Sequence, residues 1–72
     1  MTYIIEKDGT KYEMGASIKE VGSGDAIKVG PGKLEIITKI EDTSGWNKII
    51  VTESGKQFDM LQVMAYGKKL LK

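Results

Sequence analysis

Residues 2–14, TYIIEKDGTKYEM, set Asp8-Gly9 between two runs that alternate apolar and polar side chains. Asp-Gly accepts positive φ at both central positions of a type I′ turn, and the twist of that turn matches the twist of two antiparallel strands. The chain therefore has to reverse here as a hairpin. A two-residue loop also fixes the register: Lys7 opposite Thr10, Glu6 opposite Lys11, Ile5 opposite Tyr12 and Tyr3 opposite Met14. One face then carries Tyr3, Ile5, Tyr12 and Met14, and the other carries Glu6, Lys11, Glu13 and one misplaced apolar residue, Ile4.

Short alternating runs broken by glycine turns continue along the chain. Residues 15–24, GASIKEVGSG, read as a loop with a short turn of helix. Ile27 and Val29 alternate with Ala26 and Lys28 as a strand that leads into Gly30-Pro31-Gly32-Lys33. Glycines followed by lysine suggest a phosphate-cradling loop, but that loop needs glycine where Ile27 stands and Ser or Thr where Leu34 stands. A type II turn fits better, with Pro31 presetting φ and Gly32 supplying the positive φ. Residues 33–41 put Leu34, Ile36, Thr38 and Ile40 on one face, with Ile37 out of phase. A turn at 42–45, a β-branched strand at 46–53, a Ser54-Gly55 turn and a strand with Phe58 follow. Over residues 61–72 the spacing of Leu61, Met64 and Ala65 predicts a helical turn, interrupted by Gly67, and residues 64–72 form a basic tail.

These elements predict a mainly all-β chain: one domain over residues 1–72, an amino-terminal hairpin over 1–14, a small antiparallel barrel over 24–63 and a short carboxy-terminal helical turn. With 72 residues, such a domain buries only about 60% of the surface its unfolded chain exposes. Cysteine and histidine are both absent, so neither a disulfide nor a Cys/His zinc site supplements the core. The same absence removes the Cys-His and Ser-His nucleophilic designs, and the scattered carboxylates form no calcium-loop spacing. A binding protein without enzymatic activity, cofactor or metal is the expectation. No run approaches the ~20 apolar residues of a membrane span, and a cytoplasmic location is expected.

Laid in order, GDAIKV, the GPG turn, LEIITKI and WNKIIVTESGKQFDM resemble Src-homology-3-like small barrels of the KOW and Tudor kind. The matching residues are Gly24, Asp25, Ile27, Val29, Gly32, Ile40, Ile50, Gly55 and Phe58, and the resemblance covers residues 24–63. It implies the barrel fold. The functions known in those families, contact with the ribosome or polymerase and methyl-lysine binding, are what it suggests in turn.

The charge is close to balanced at +1, but residues 1–59 hold 8 lysines against 10 acids, while residues 60–72 hold 3 lysines and no acid. A body with more acids than lysines lacks the basic stripe from which affinity for phosphates comes, so a protein partner is preferred to nucleic acid. Trp46, beside Asn47 and Lys48 at the mouth of a hairpin, is the candidate anchor. Ile37 and Ile4 are either covered within the chain or belong to a homodimer interface, and the chain is accordingly a monomer or a homodimer. Lys28 and Lys33 flank the GPG tip. Lys68 and Lys69 in the tail carry the alternative reading, a nucleic-acid-binding small barrel.

Overall fold

The computed structural model describes residues 2–70. Seven strands, β1 (Tyr3–Lys7), β2 (Thr10–Ala16), β3 (Ala26–Gly30), β4 (Lys33–Asp42), β5 (Lys48–Thr52), β6 (Gln57–Asp59) and β7 (Ala65–Lys69), form one antiparallel sheet in the order β1-β2-β7-β3-β4-β5-β6. Two 3₁₀ turns, Ile18–Glu20 and Met60–Gln62, complete the secondary structure. The chain is all-β, as its alternation indicates.

The first hairpin has the register the turn dictates, from Lys7 opposite Thr10 to Tyr3 opposite Met14. Asp8 and Gly9 sit at φ of 52° and 80°, the positive pair that a type I′ turn requires. Gly32 has φ of 68° in the Pro31-Gly32 loop that joins β3 to β4.

Two expectations are corrected. The sheet is open rather than a closed barrel: the first hairpin pairs with β7, both sides of β7 are used, and β1 and β6 are left as edges at opposite ends. The expected carboxy-terminal helical turn is not formed among residues 63–70 either. Helix is confined to the 3₁₀ turn at Met60–Gln62, closed by the Leu61 N–H donating to Asp59 Oδ1 at 3.1 Å and the Asp59 N–H to Gln62 Oε1 at 3.0 Å. Ala65–Lys69 is instead a strand in the middle of the sheet. Gly67, which weakens a helix, is here the residue for which the side chain of Met14 in β2 leaves room. Leu71 and Lys72, the end of the expected tail, lie outside the described residues.

The sheet buries apolar side chains on both of its faces. Val21, Ile27, Ile37 and Ile50 form one core, with Ala16, Ile18, Val29, Ile40, Phe58, Val63 and Tyr66 packed around it. Tyr12, Met14 and Ala26 form the other, joined by Ile5, Leu34, Ile36 and Ala65. The same strands serve both: Tyr66 and Ile27 face the first core, and their chain neighbours Ala65 and Ala26 face the second. Burial holds the phenols of Tyr12 and Tyr66 above the ordinary tyrosine range, because the charged form would have to leave water.

Strand β4 shows how the phase problem at Ile37 is solved. Its first part pairs with β3 as far as Ile36, its second part pairs with β5 from Ile37, and a bulge falls between Ile37 and Lys39. The extra residue resets the alternation, so Leu34 and Ile36 enter one core and Ile37 and Ile40 the other. The single apolar face expected over Leu34, Ile36, Thr38 and Ile40 is therefore split, and Thr38 is exposed.

Gly67 stands opposite Met14 on one side and Ala26 on the other. A Cβ at this position would lie 2.5 Å from Met14 Sδ and 3.3 Å from Tyr12 Cβ, and Met14 is fully buried. We expect Gly67→Ala to cost about 1–3 kcal/mol of stability in urea unfolding. Combining it with Met14→Val should recover part of that loss, a non-additivity readable by double-mutant cycle.

Candidate functional site

The loop between β4 and β5 is short and internally bonded. Thr43 Oγ1 donates to the Asn47 carbonyl at 2.7 Å, the Thr43 N–H donates to the same carbonyl at 3.4 Å, and the Lys48 N–H donates to Asn47 Oδ1 at 2.9 Å. Gly45 supplies a φ of 106° that lets the chain double back. The loop ends thus close on each other and leave Trp46 pointing out, 72% exposed. An indole held on a bonded turn loses little freedom on contact with a partner.

On the same hairpin opens a groove of about 610 Å³. Ile18, Val21 and Ile40 give it an apolar floor, and Lys19, Lys39 and Lys48 stand along it with Asp42. Lys48 is ion-paired to Asp42 and Lys39 lies 3.5 Å from Glu41, so two of these three lysines are partly neutralised while Lys19 has no ion pair among the described residues. Exposed ion pairs of this kind add little stability, and they leave a mixed polar rim.

The sequence-predicted residues do not gather at one place. Trp46 and Lys48 share the β4–β5 hairpin. Ile37, 1% exposed, belongs to the core with Ile27 and Ile50 and is covered within the chain. Lys28 lies on the other side of the sheet: its ammonium is 3.4 Å from Tyr3 Oη and 5.6 Å from the centre of the Tyr3 ring, a cation–π geometry. Lys33 is exposed, and its side chain passes beside Gly30.

Lys68 and Lys69 are bound to Asp25, which the sequence places among the scattered carboxylates but the structure buries. Asp25, 6% exposed, accepts the Gly22 N–H on Oδ2 and the Lys69 N–H on Oδ1, both at 2.8 Å, and Lys68 Nζ lies 3.6 Å from Oδ2. Lys68 also donates to the Glu20 carbonyl at 2.9 Å. The buried carboxylate thereby ties the entry of β3 to the end of β7. The GD pair at the start of β3 was visible in sequence, but Lys68 and Lys69 lie more than forty positions from Asp25, and no local pattern reports them.

A second, smaller cleft of about 270 Å³ lies between Lys7, the start of β4 and Glu53-Ser54. Ser54 Oγ donates to Glu35 Oε1 at 2.7 Å and stands 3.0 Å from Thr52 Oγ1. The Ser54 hydroxyl bond holds the Glu35 carboxyl below the ordinary glutamate range against the opposing effect of its partial burial, with Thr52, Lys56 and Lys7 adding to the lowering. Among the described residues no three acids gather as a metal site, and no helix is long and apolar enough to cross a membrane.

No protein-family model, curated protein or solved structure matches the chain.

Two outcomes follow from the polar contacts. Asp25→Ala should cost about 2–4 kcal/mol by leaving two backbone donors without an acceptor, and Asp25→Asn, which keeps one acceptor, should fall between it and wild type in urea titration. Ser54→Ala should cost only about 0.5 kcal/mol at neutral pH, because the bond lies at the surface and is screened by water. Glu35 ionises more easily in the folded than in the unfolded chain, so its contribution is full above the ordinary value of 4.5 and is lost as pH falls through the lowered folded value. The gap between wild type and Ser54→Ala should therefore shrink in acid.

Proposed function

We propose that this chain is a non-enzymatic protein-binding module, an accessory or inhibitory factor that docks on a larger protein assembly through Trp46 and the groove beside it. The observation that carries the reading is the 72% exposure of the indole on a turn whose ends are hydrogen-bonded to each other. Large aromatic residues held out in water cost solubility without adding to the core, and they are the usual anchors of protein interfaces. The apolar floor of Ile18, Val21 and Ile40, rimmed by lysines and Asp42, suits a partner segment that is apolar at its centre and acidic at its margin.

The likeness to Src-homology-3-like small barrels remains part of this proposal. Its support is the run of elements from β3 through a glycine turn to β4, then β5, a tight turn and the three-residue β6. A nucleic-acid-binding role for this small all-β domain is the second reading, favoured by the ring of Tyr3 beside Lys28. It is weakened at the tail, because Lys68 is engaged by Asp25 and the Glu20 carbonyl.

A pull-down from host lysate with wild type and Trp46→Ala tests the choice. The variant should keep its stability within about 0.5 kcal/mol. It should also lose a specific protein partner by about tenfold or more. Equal recovery by both proteins would exclude Trp46 as the anchor. Recovery that disappears after nuclease treatment would instead favour the second reading.

A further inference from the structure

Strand β1 is an outer strand of the sheet, and its far side has no partner among the described residues. Which of its backbone groups face outward follows from the hairpin. A two-residue turn closes on a hydrogen-bonded pair, Lys7 with Thr10, and bonded and non-bonded pairs then alternate along the ladder. Ile5 with Tyr12 and Tyr3 with Met14 exchange their bonds inside the hairpin. Ile4 and Glu6 therefore direct N–H and C=O away from β2. The far side of β2 agrees, since Lys11, the partner of Glu6, turns its carbonyl away from β1 to accept the Leu70 N–H at 2.9 Å.

This edge carries few of the features that keep strand edges apart. It has no proline, its register is unbroken over five residues, and its charges, Glu6 and Lys7, are confined to the turn end. The other edge, β6, is only three residues long. Ile4 and Tyr3, at the open end of β1, are 58% and 44% exposed, although Tyr12 and Met14 of the adjoining strand are buried.

We propose that β1 is a self-association edge, pairing antiparallel with β1 of a second copy of this chain about a two-fold axis at Ile4. Outward-facing groups must meet outward-facing groups, which leaves registers centred on Tyr3, Ile4, Ile5 or Glu6, and centring on Tyr3 sets each exposed Ile4 against Thr2 rather than against a second isoleucine. Centring on Glu6 puts two carboxylates face to face. Centring on Ile5 sets each exposed Ile4 against a carboxylate. Centring on Ile4 joins the two isoleucines, sets Tyr3 against Ile5 of the second copy, and puts Glu6 opposite the neutral Thr2. The interface takes a second copy in particular because this short edge satisfies its own backbone groups and covers its own apolar side chains when reversed on itself. It is independent of the Trp46 groove.

The test uses the full chain in sedimentation over rising concentration, with two variants. Ile4→Pro removes an N–H that no bond within the hairpin uses, and Ile4→Lys places two like charges at the axis; wild type should dimerise, and both variants should remain monomeric at concentrations at least tenfold higher. Because the chain has no cysteine, oxidative cross-linking gives a second reading that does not depend on those variants folding: Ile4→Cys should form a disulfide dimer readily and Glu6→Cys poorly. A wild type that stays monomeric at submillimolar concentration would overturn the proposal. So would an Ile4→Pro variant that dimerises like wild type, or cross-linking of Glu6→Cys as efficient as that of Ile4→Cys.

Discussion

The close approach at Gly67 is the constraint on which the sheet depends. Strand β7 lies between β2 and β3, and at its centre the side chain of Met14 occupies the space that a Cβ at position 67 would need. Met14 can then close the second core over Ala26, and the first hairpin can join strands that lie far along the chain. Without β7 the hairpin and the β3–β6 meander would have no shared strand. Asp25 reinforces the joint from the other end by holding the last backbone N–H of β7 against the loop that enters β3.

What could be read from the sequence was local. Asp8-Gly9 specifies its turn through φ, and the register of the first hairpin follows without reference to anything else in the chain. The GPG turn and the order of β3 to β6 follow in the same way. Ile37 marked a real departure from alternation, but sequence could not say whether it was covered within the chain or by a second copy. The answer lay in the change of partner from β3 to β5 along one long strand, which is a tertiary property. Residues 64–69 were misread for a related reason. Glycine in mid-strand looks like a break until the methionine that lies over it is known.

The candidate site divides in the same way. The exposure of Trp46 could be suspected because a ring directly after a Ser-Gly turn has little to pack against, and the structure leaves it in water. Lys68 and Lys69 looked like a free basic end, yet one ammonium and one backbone amide are committed to Asp25. Charge counted along the chain therefore overstates the charge available to a ligand. The groove floor was not legible at all, since Ile18 and Val21 come from a loop and Ile40 from a strand.

The position of β7 also bears on how the chain is made. The ribosome releases β1 to β6 first, and in the meantime the hairpin can form only against itself and the β3–β6 meander only with its inner edge bare. The strand that joins them is the last of the seven in chain order, and its partners in β2 lie roughly fifty residues upstream, so the sheet is completed only through contacts of long sequence separation. The nascent chain passes through a period in which the strand edges that β7 will occupy are open to other chains. Its vulnerability in the cell is thus concentrated in the interval before Gly67 finds Met14.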